Sequence, residues 1–260
     1  MELEKTEDRE HLREQKLSAV WNNELNEVFE NIAEHYDVAN YVASFGMWGW
    51  YRHNFMKTIS VNPRERVLDV CAGTNAIGIA LLKRESTLEV YAIDRSCEMQ
   101  AVGKRNSNSL GFRINSTIGD VHQLPYPDNY FDIVTLQFAS RHLRVREVFS
   151  EIYRVLKPGG RFHHCDMLRP APRLINKLYY KYLSFMLWFT ATLFGSGKAA
   201  QNCQKYFIDA LQIFYSISEF SALLISLGYT EVMGKGIFFD IIGVHRAVKP
   251  KQAINHNDPQ

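Results

Sequence analysis

Short runs of β-branched and aliphatic residues alternate along this chain with longer stretches whose apolar positions recur every three or four residues. The runs "ERVLDV", "LEVYAID", "RINSTIGD", "FDIVTLQF" and "GRFHHCDM" read as strands, and each but the last is followed quickly by helix-compatible sequence. After a helical pattern in "YSISEFSALLISLGY" come "TEVMGKG" and "IFFDIIGVHRAV", separated by only a short gap. Five alternations closed by a hairpin predict an α/β fold: a mostly parallel seven-stranded sheet with one antiparallel strand near its edge and helices on both faces. Ahead of the first strand, "WNNELNEVFENIAEHYD" has the period of one amphipathic helix, and the first 20 residues or so read as a charged helix or a loose tail. The expected layout is an N-terminal extension over 1–26, one domain over 27–249 and a polar tail over 250–260.

Composition changes this picture little. With 260 residues, 46% hydrophobic and 22% charged, the chain has room for one large α/β domain, and a net charge of +2 by itself selects no partner. The four cysteines, Cys71, Cys97, Cys165 and Cys203, are scattered with no C-x-x-C pair, so neither a zinc cage nor a redox motif is indicated. The start, "MELEKTEDREHLREQK", is charged and lacks the apolar core of a signal peptide, which makes the cytoplasm the expected compartment.

In open α/β sheets ligands sit at the carboxyl ends of the strands, where the strand order reverses. "RVLDVCAGTNAIGIAL" has a strand leading in and a helix leading out, but at Cys71, Gly73 and Asn75 a single glycine remains. Asp69 ends the first strand region, Asp94 the second, and Asp120 follows the third. One such acid often only caps the next helix. Three at successive strand ends point to a nucleoside: a carboxylate at Asp94 offers two acceptors to ribose hydroxyls, and Asp120 can accept from an adenine amino group. S-adenosylmethionine has no pyrophosphate, so its loop tolerates fewer glycines. Gly73 supplies the close approach, Thr74 a hydroxyl, and Asn75 a residue at home in left-handed backbone. A plain strand-to-helix turn is the alternative.

The chain resembles the ubiquinone/menaquinone biosynthesis C-methyltransferases over roughly residues 27–249. The carriers are "HYDVANYVASFGMWGWYR", "VLDVCAGTNAIGIAL", "AIDRSCEM", "GDVHQLPYPDNYFD", "FASRHL", "RVLKPGG", "YFIDALQIFYSISEFSALLISLGY" and "GIFFDIIGVHRAVKP". The resemblance implies a Rossmann-like class I methyltransferase that uses S-adenosyl-L-methionine. It places Thr74, Asp94, Asp120, Val121 and Gln137 around the donor, Arg95 and Met99 of "AIDRSCEM" beside them, and Tyr36 as a cover from the N-terminal segment. The family usually has glycine at Asn75 and Ala139, asparagine at His142, often serine at Gln137, and glutamate at Asp166.

Methylating a hydroquinone ring carbon requires that an adjacent phenol lose its proton, so the site needs a base or a cation that favours the phenolate. Arg141 stays protonated and suits the second role, by stabilising the phenolate or orienting a water. His142 can accept the proton directly if it titrates near neutrality. Asp166 is a second base or the group that orients Arg141 or His142. The plainer readings are an Arg141 paired to a nearby acid and a structural His142. The run His163–His164–Cys165–Asp166 invites a metal, but alternate strand residues face opposite ways, two ligands to a face, and no metal is expected.

From Met167 to Ile208 there is no Asp or Glu, while Arg169, Arg173, Lys177, Lys181, Lys198 and Lys205 supply six positive charges. Arg173, Lys177 and Lys181 line one helix face ahead of the apolar, aromatic "YLSFMLWFTATLFG". Three readings stand: a lid of about 168–208 packed on the sheet, a segment docked on an anionic membrane surface, and a true span, for which it is short. The function expected is S-adenosylmethionine-dependent C-methylation of a polyprenyl hydroquinone, demethylmenaquinol to menaquinol favoured. The alternatives are another small or lipid-like acceptor, or a catalytically silent donor-binding subunit. Expected partners are the hydroquinone and, peripherally, the inner face of an anionic membrane. A homodimer is compatible with this reading, and nucleic acid is not expected.

Overall fold

In the computed structural model the chain is described over residues 2–23, 25–169, 173–193 and 197–251. The strands are β1 (Arg66–Val70), β2 (Glu89–Asp94), β3 (Asn115–Ile118), β4 (Phe131–Gln137), β5 (Leu156–Met167), β6 (Thr230–Ile237) and β7 (Ile242–Val248). They form one sheet in the order β3-β2-β1-β4-β5-β7-β6, parallel throughout except for β7, which runs antiparallel to both β5 and β6. This is the expected sheet with its one reversed strand. From β1 the chain winds outward to β3 and then returns to β4 on the other side. The carboxyl ends of β1, β2 and β4 therefore meet at the switch point where a ligand can enter.

Helices cover both faces because strand residues alternate between them. Val67 of β1, Val90 of β2 and Ile133 of β4 pack on Phe55 of α4 (Trp48–Lys57) and Leu81 of α5 (Ala76–Arg84). Leu68, Val134 and Phe162 pack on the opposite side, against Phe149 of α7 (Val145–Val155) and Phe220 of α10 (Ile217–Ser226). A second helix on the first course of the chain, α6 (Cys97–Ser109), follows β2 and is capped by Ser96, whose Oγ accepts from Met99 N–H.

Three expectations change. The fifth strand begins at Leu156, not Gly160, because Pro158 is accommodated at an irregularity where pairing with β4 shifts register. The last strand begins at Ile242: Phe238, Phe239 and Asp240 all have left-handed backbone (φ 51°, 53° and 66°), so the apolar "IFFDI" contains the hairpin turn. The single amphipathic helix expected before Asp37 is broken. It is the end of α1 (Glu2–Asn23), then α2 (Leu25–Ile32), a 3-10 turn over Ala33–His35 and α3 (Tyr36–Ala43). The tightening falls where Ala33 is buried against Met99 and Val102 of α6. α8 (Arg173–Leu193) and α9 (Gly197–Gln212) pack on each other, with α8 also against α3, over the ligand end of the sheet. No single helix among the described residues is long and apolar enough to cross a membrane. The tail beyond residue 251 lies outside the described residues.

Candidate active site

The loop after β1 turns with one glycine because three of its residues adopt left-handed backbone: Cys71 (φ 54°), Gly73 (51°) and Asn75 (59°). Asn75 is buried, and Gln100 Nε2 donates both to its Oδ1 (3.1 Å) and to the Gly73 carbonyl (3.0 Å). Its side chain fits because α6 carries Gly103 beside it, where a Cβ would come within 2.8 Å of the Asn75 amide. An asparagine in place of the family's glycine thus leaves the loop in shape.

Asp94 ties this loop to β2. Its Oδ2 accepts from Gly73 N–H (2.8 Å) and its Oδ1 from Ser96 N–H (3.0 Å). Each oxygen keeps acceptor capacity for a ligand hydroxyl. Burial raises the Asp94 pKa, and those backbone donors oppose the rise. Asp94 lines a cleft of about 770 Å³, mouth included, together with Tyr36, Gly73, Arg95, Met99, Asp120, Val121, Gln137 and His142. Asp69 and Thr74 lie in an adjoining narrower recess that shares Tyr36, Gly73 and Gln137 with the cleft. All ten residues read as donor-binding from sequence are therefore brought together. Burial raises Asp69 to about 7, although Thr135 Oγ1, donating to it at 2.7 Å, opposes the rise. At Asp120 burial would raise the pKa, but bonds from His122 N–H (2.9 Å) and Nδ1 (2.5 Å) hold it low.

The fit to S-adenosylmethionine rests on more than the acids. His142 Nε2 is buried in the cleft wall and has no protein partner, a costly state that a polar ligand in the cleft relieves. Two contributors were missed in the sequence. Thr74 Oγ1 donates to Asp37 Oδ2 (2.9 Å), and Arg52 holds the other Asp37 oxygen (3.2 Å). Asp37 stood in the "HYDVAN" motif beside Tyr36, and that adjacency was the available signal.

A second cavity, about 1460 Å³ with its mouth, adjoins the cleft under α2, α3, α8 and α9. Its walls are mainly apolar and aromatic; among the described residues no Asp, Glu or Lys lines it, and Arg141 and His35 are its basic side chains. Tyr36 and Phe138 line both spaces. Phe138 sits at φ 56° at the end of β4, a strained backbone of the sort found at functional sites. Burial pushes the Tyr36 phenol up to about 12, so it stays protonated. Tyr179 and Trp48 also line this cavity, and the Tyr179 hydroxyl and Trp48 Nε1 are buried without a protein partner. Neither was singled out from sequence; nothing local distinguishes them from other core aromatics.

Arg141 belongs to a 3-10 turn, Ser140–His142, just past β4. Its Nη1 donates to the Phe138 carbonyl (2.8 Å) and to Asp166 Oδ1 (2.5 Å). Asp166 is fully buried and also accepts from Met167 N–H (2.7 Å), Ser140 Oγ (2.6 Å) and Arg141 N–H (3.3 Å). It lines neither cavity, so this geometry suits orienting Arg141 and gives the base reading no access to an acceptor. His142 requires a correction. It lies among Phe29, Tyr206 and Phe207, with Nδ1 2.7 Å from the Tyr206 hydroxyl. Burial, then the charges of Arg141 and Arg13, push its pKa well below 6.5, so it does not titrate near neutrality. It lines the donor cleft, not the larger cavity. The pH profile of transfer by His142→Asn is therefore expected to superimpose on the parent's between about pH 5.5 and 7.5; loss of an inflection there would restore the histidine as a base.

The His163–Asp166 run divides between faces as expected. His163 lies 3.4 Å from Thr58 Oγ1 and Cys165 packs in the α4–α5 core, while His164 Nε2 lies 2.8 Å from Ser140 Oγ on the Asp166 side. Among the described residues no group of three or more His, Cys, Asp or Glu side chains is arranged to hold a metal ion.

Comparison with known proteins gives the family and the fold. The chain is 32% identical over 229 residues to a demethylmenaquinone methyltransferase of Anoxybacillus flavithermus, covering 87% of this chain and 95% of that protein. It is 30% identical over 233 residues to a ubiquinone/menaquinone biosynthesis C-methyltransferase of Rickettsia bellii, covering 86% and 92%. In fold it matches phosphoethanolamine N-methyltransferase 2 of Haemonchus contortus, solved with S-adenosyl-L-methionine, with TM-score 0.60 and 15% identity over 79% of this chain and 53% of that one. The sequence pattern of the ubiE/COQ5 methyltransferase family matches residues 14–249. The chain belongs to the ubiE/COQ5 methyltransferase family and takes S-adenosylmethionine as its methyl donor.

Proposed function

We propose that this chain methylates a ring carbon of a polyprenyl hydroquinone, converting demethylmenaquinol to menaquinol. The observation that carries the reading is the large aromatic cavity with Arg141 in its wall, separated from the donor cleft by Tyr36 and Phe138. A prenyl tail is apolar along its length and a hydroquinone ring is polar at two opposite oxygens, which matches an apolar cavity with a few convergent polar groups. Bound in the cleft, S-adenosylmethionine supplies an electrophilic methyl on a sulfonium.

The chain's own residues do the rest. Asp94, Asp120 and the Gly73 loop hold the nucleoside, with Arg95, Met99, Val121 and Gln137 around it and Asp69 and Thr74 at the adjoining recess. Arg141, fixed through Nη1 by Asp166, presents its remaining donors to a ring oxygen and favours the phenolate. The phenol's proton, and after methyl transfer the ring carbon's own proton, leave to water that reaches the acceptor cavity from its mouth. The Tyr179 hydroxyl, buried in the same cavity wall without a protein partner, can donate to the other oxygen. On the donor side Tyr36 and Phe138 shut water from the reacting atoms.

The acceptor is a membrane lipid, and α8 is suited to reach it. Tyr182, Leu183 and Leu187 line the cavity, while Leu178, Phe185 and Trp188 of the same helix are exposed. Exposed Lys177 and Lys181 accompany them; the side chains of Arg173 and Lys198 lie outside the described residues. Phe45, 73% exposed, stacks on Tyr182 at the cavity's edge. An apolar face flanked by lysines suits peripheral docking on the anionic inner face of a membrane, with the acceptor entering from it.

Vesicles carrying demethylmenaquinone test both parts. Reduced acceptor should be methylated and oxidised acceptor should not, since only the hydroquinone has a phenol to ionise. Lys177→Glu with Lys181→Glu should slow the reaction on anionic vesicles, leave it unchanged on neutral ones and leave donor binding intact. Equal rates on both surfaces would refute the electrostatic docking, and methylation of oxidised quinone would refute the phenolate chemistry.

A further inference from the structure

Arg13, on α1, is fully buried. Its Nη2 donates to the main-chain carbonyls of Arg141 (3.2 Å) and Leu143 (2.9 Å), on either side of His142. Its Nη1 donates to Glu10 Oε2 (2.7 Å), which also accepts from the Tyr215 hydroxyl (2.6 Å), and the guanidinium lies 4.8 Å from the centre of the Phe214 ring. One turn further along α1, Leu17 is buried against Tyr206, the residue whose hydroxyl meets His142. The turn that carries Arg141 is thus gripped twice. Asp166 holds it from inside the sheet, through the Arg141 side chain and N–H, and Arg13 holds it by its carbonyls from the helix outside. A buried guanidinium spending its donors on two main-chain carbonyls fixes backbone, because lost bonds there leave carbonyls and a cation unpaired in a dry site. The family pattern begins at residue 14, so Arg13 lies just ahead of it.

We propose that Arg13 is a positioning residue: through it α1 fixes the backbone from which Arg141 reaches the acceptor cavity. The proposal rests on the function assigned above. α1 is then part of the catalytic apparatus without touching donor or acceptor, and whatever lifts α1 away loosens the Ser140–Leu143 segment.

Arg13→Met keeps the length and apolar packing of the side chain and removes its donors. In the full-length protein, the amides of His142 and Leu143 should exchange with solvent at least about tenfold faster than in the parent. Turnover per donor-binding site should fall about tenfold, with donor affinity and acceptor KM near the parent's, because the loss falls on the transition state. Arg13→Lys, which keeps a buried cation but not the planar fork that spans Glu10 and both carbonyls, should recover only part of that loss. Unchanged exchange, or faster exchange with unchanged turnover per donor-binding site, would overturn the proposal. If Arg13→Met does not fold, Glu10→Gln takes its place: roughly threefold faster exchange at the same amides is expected, and none would overturn it. A parent protein inactive on the hydroquinone would contradict the functional reading alone, and amide exchange would then decide on Arg13.

Discussion

Arg141→Ala is expected to slow methyl transfer by roughly 10²–10³-fold, the cost of losing one preorganised donor to a developing oxyanion. Donor affinity should stay within about twofold, because Arg141 lines the acceptor cavity and not the donor cleft. Removing the guanidinium has a second consequence: Asp166, fully buried, loses its charged partner and keeps only hydrogen-bond donors from Ser140, Arg141 N–H and Met167. Arg141→Lys restores a cation but not the fork that reaches the Phe138 carbonyl, Asp166 and the cavity at once, so it should remain well below the parent. Single-turnover rates with donor bound in advance, alongside calorimetry with S-adenosylhomocysteine, separate the two effects. Full activity in Arg141→Ala would remove the phenolate mechanism.

Asp94→Ala should act on the other half of the site. A charge-assisted hydrogen bond contributes about 1.5–3 kcal/mol, so donor affinity should fall on the order of 10- to 100-fold. Asp94→Asn should not rescue it. Both carboxylate oxygens already accept backbone N–H groups, from Gly73 and Ser96, so an amide nitrogen in either place would face a donor. Calorimetry with S-adenosylhomocysteine reads the loss, with thermal melts of the ligand-free proteins as the control for loop collapse. Unchanged affinity in Asp94→Ala would take this residue out of the site.

Much of this architecture is legible in the sequence because it is local. Strand runs, the acids that end them and a loop leading into a helix are adjacent along the chain, and the period of two assigns His163 and Cys165 to one face and His164 and Asp166 to the other. Asn75 could be assigned left-handed backbone from its residue type alone. What escaped the sequence reading depends on contacts between distant segments. Asp37 and Thr74 are 37 residues apart in the chain, and Arg13 is 128 residues from Arg141. His142 reads as a group titrating near neutrality until its burial by Phe29, Tyr206 and Phe207 is seen. Composition also misleads at "IFFDI", where two phenylalanines that look like strand interior occupy a left-handed turn, Phe239 exposed. In each case the residue type was visible and its surroundings were not.

The central claim is that this chain puts a methyl group on a quinone ring. The most direct measurement is the quinone content, by mass, of a host that lacks its own quinone C-methyltransferase and expresses this protein. The account predicts that demethylmenaquinone is replaced by a species heavier by one methylene unit, the extra carbon on the ring and not the tail, and that Arg141→Ala leaves the demethyl form in place. Accumulation of demethylmenaquinone alongside folded, donor-binding parent protein would contradict it.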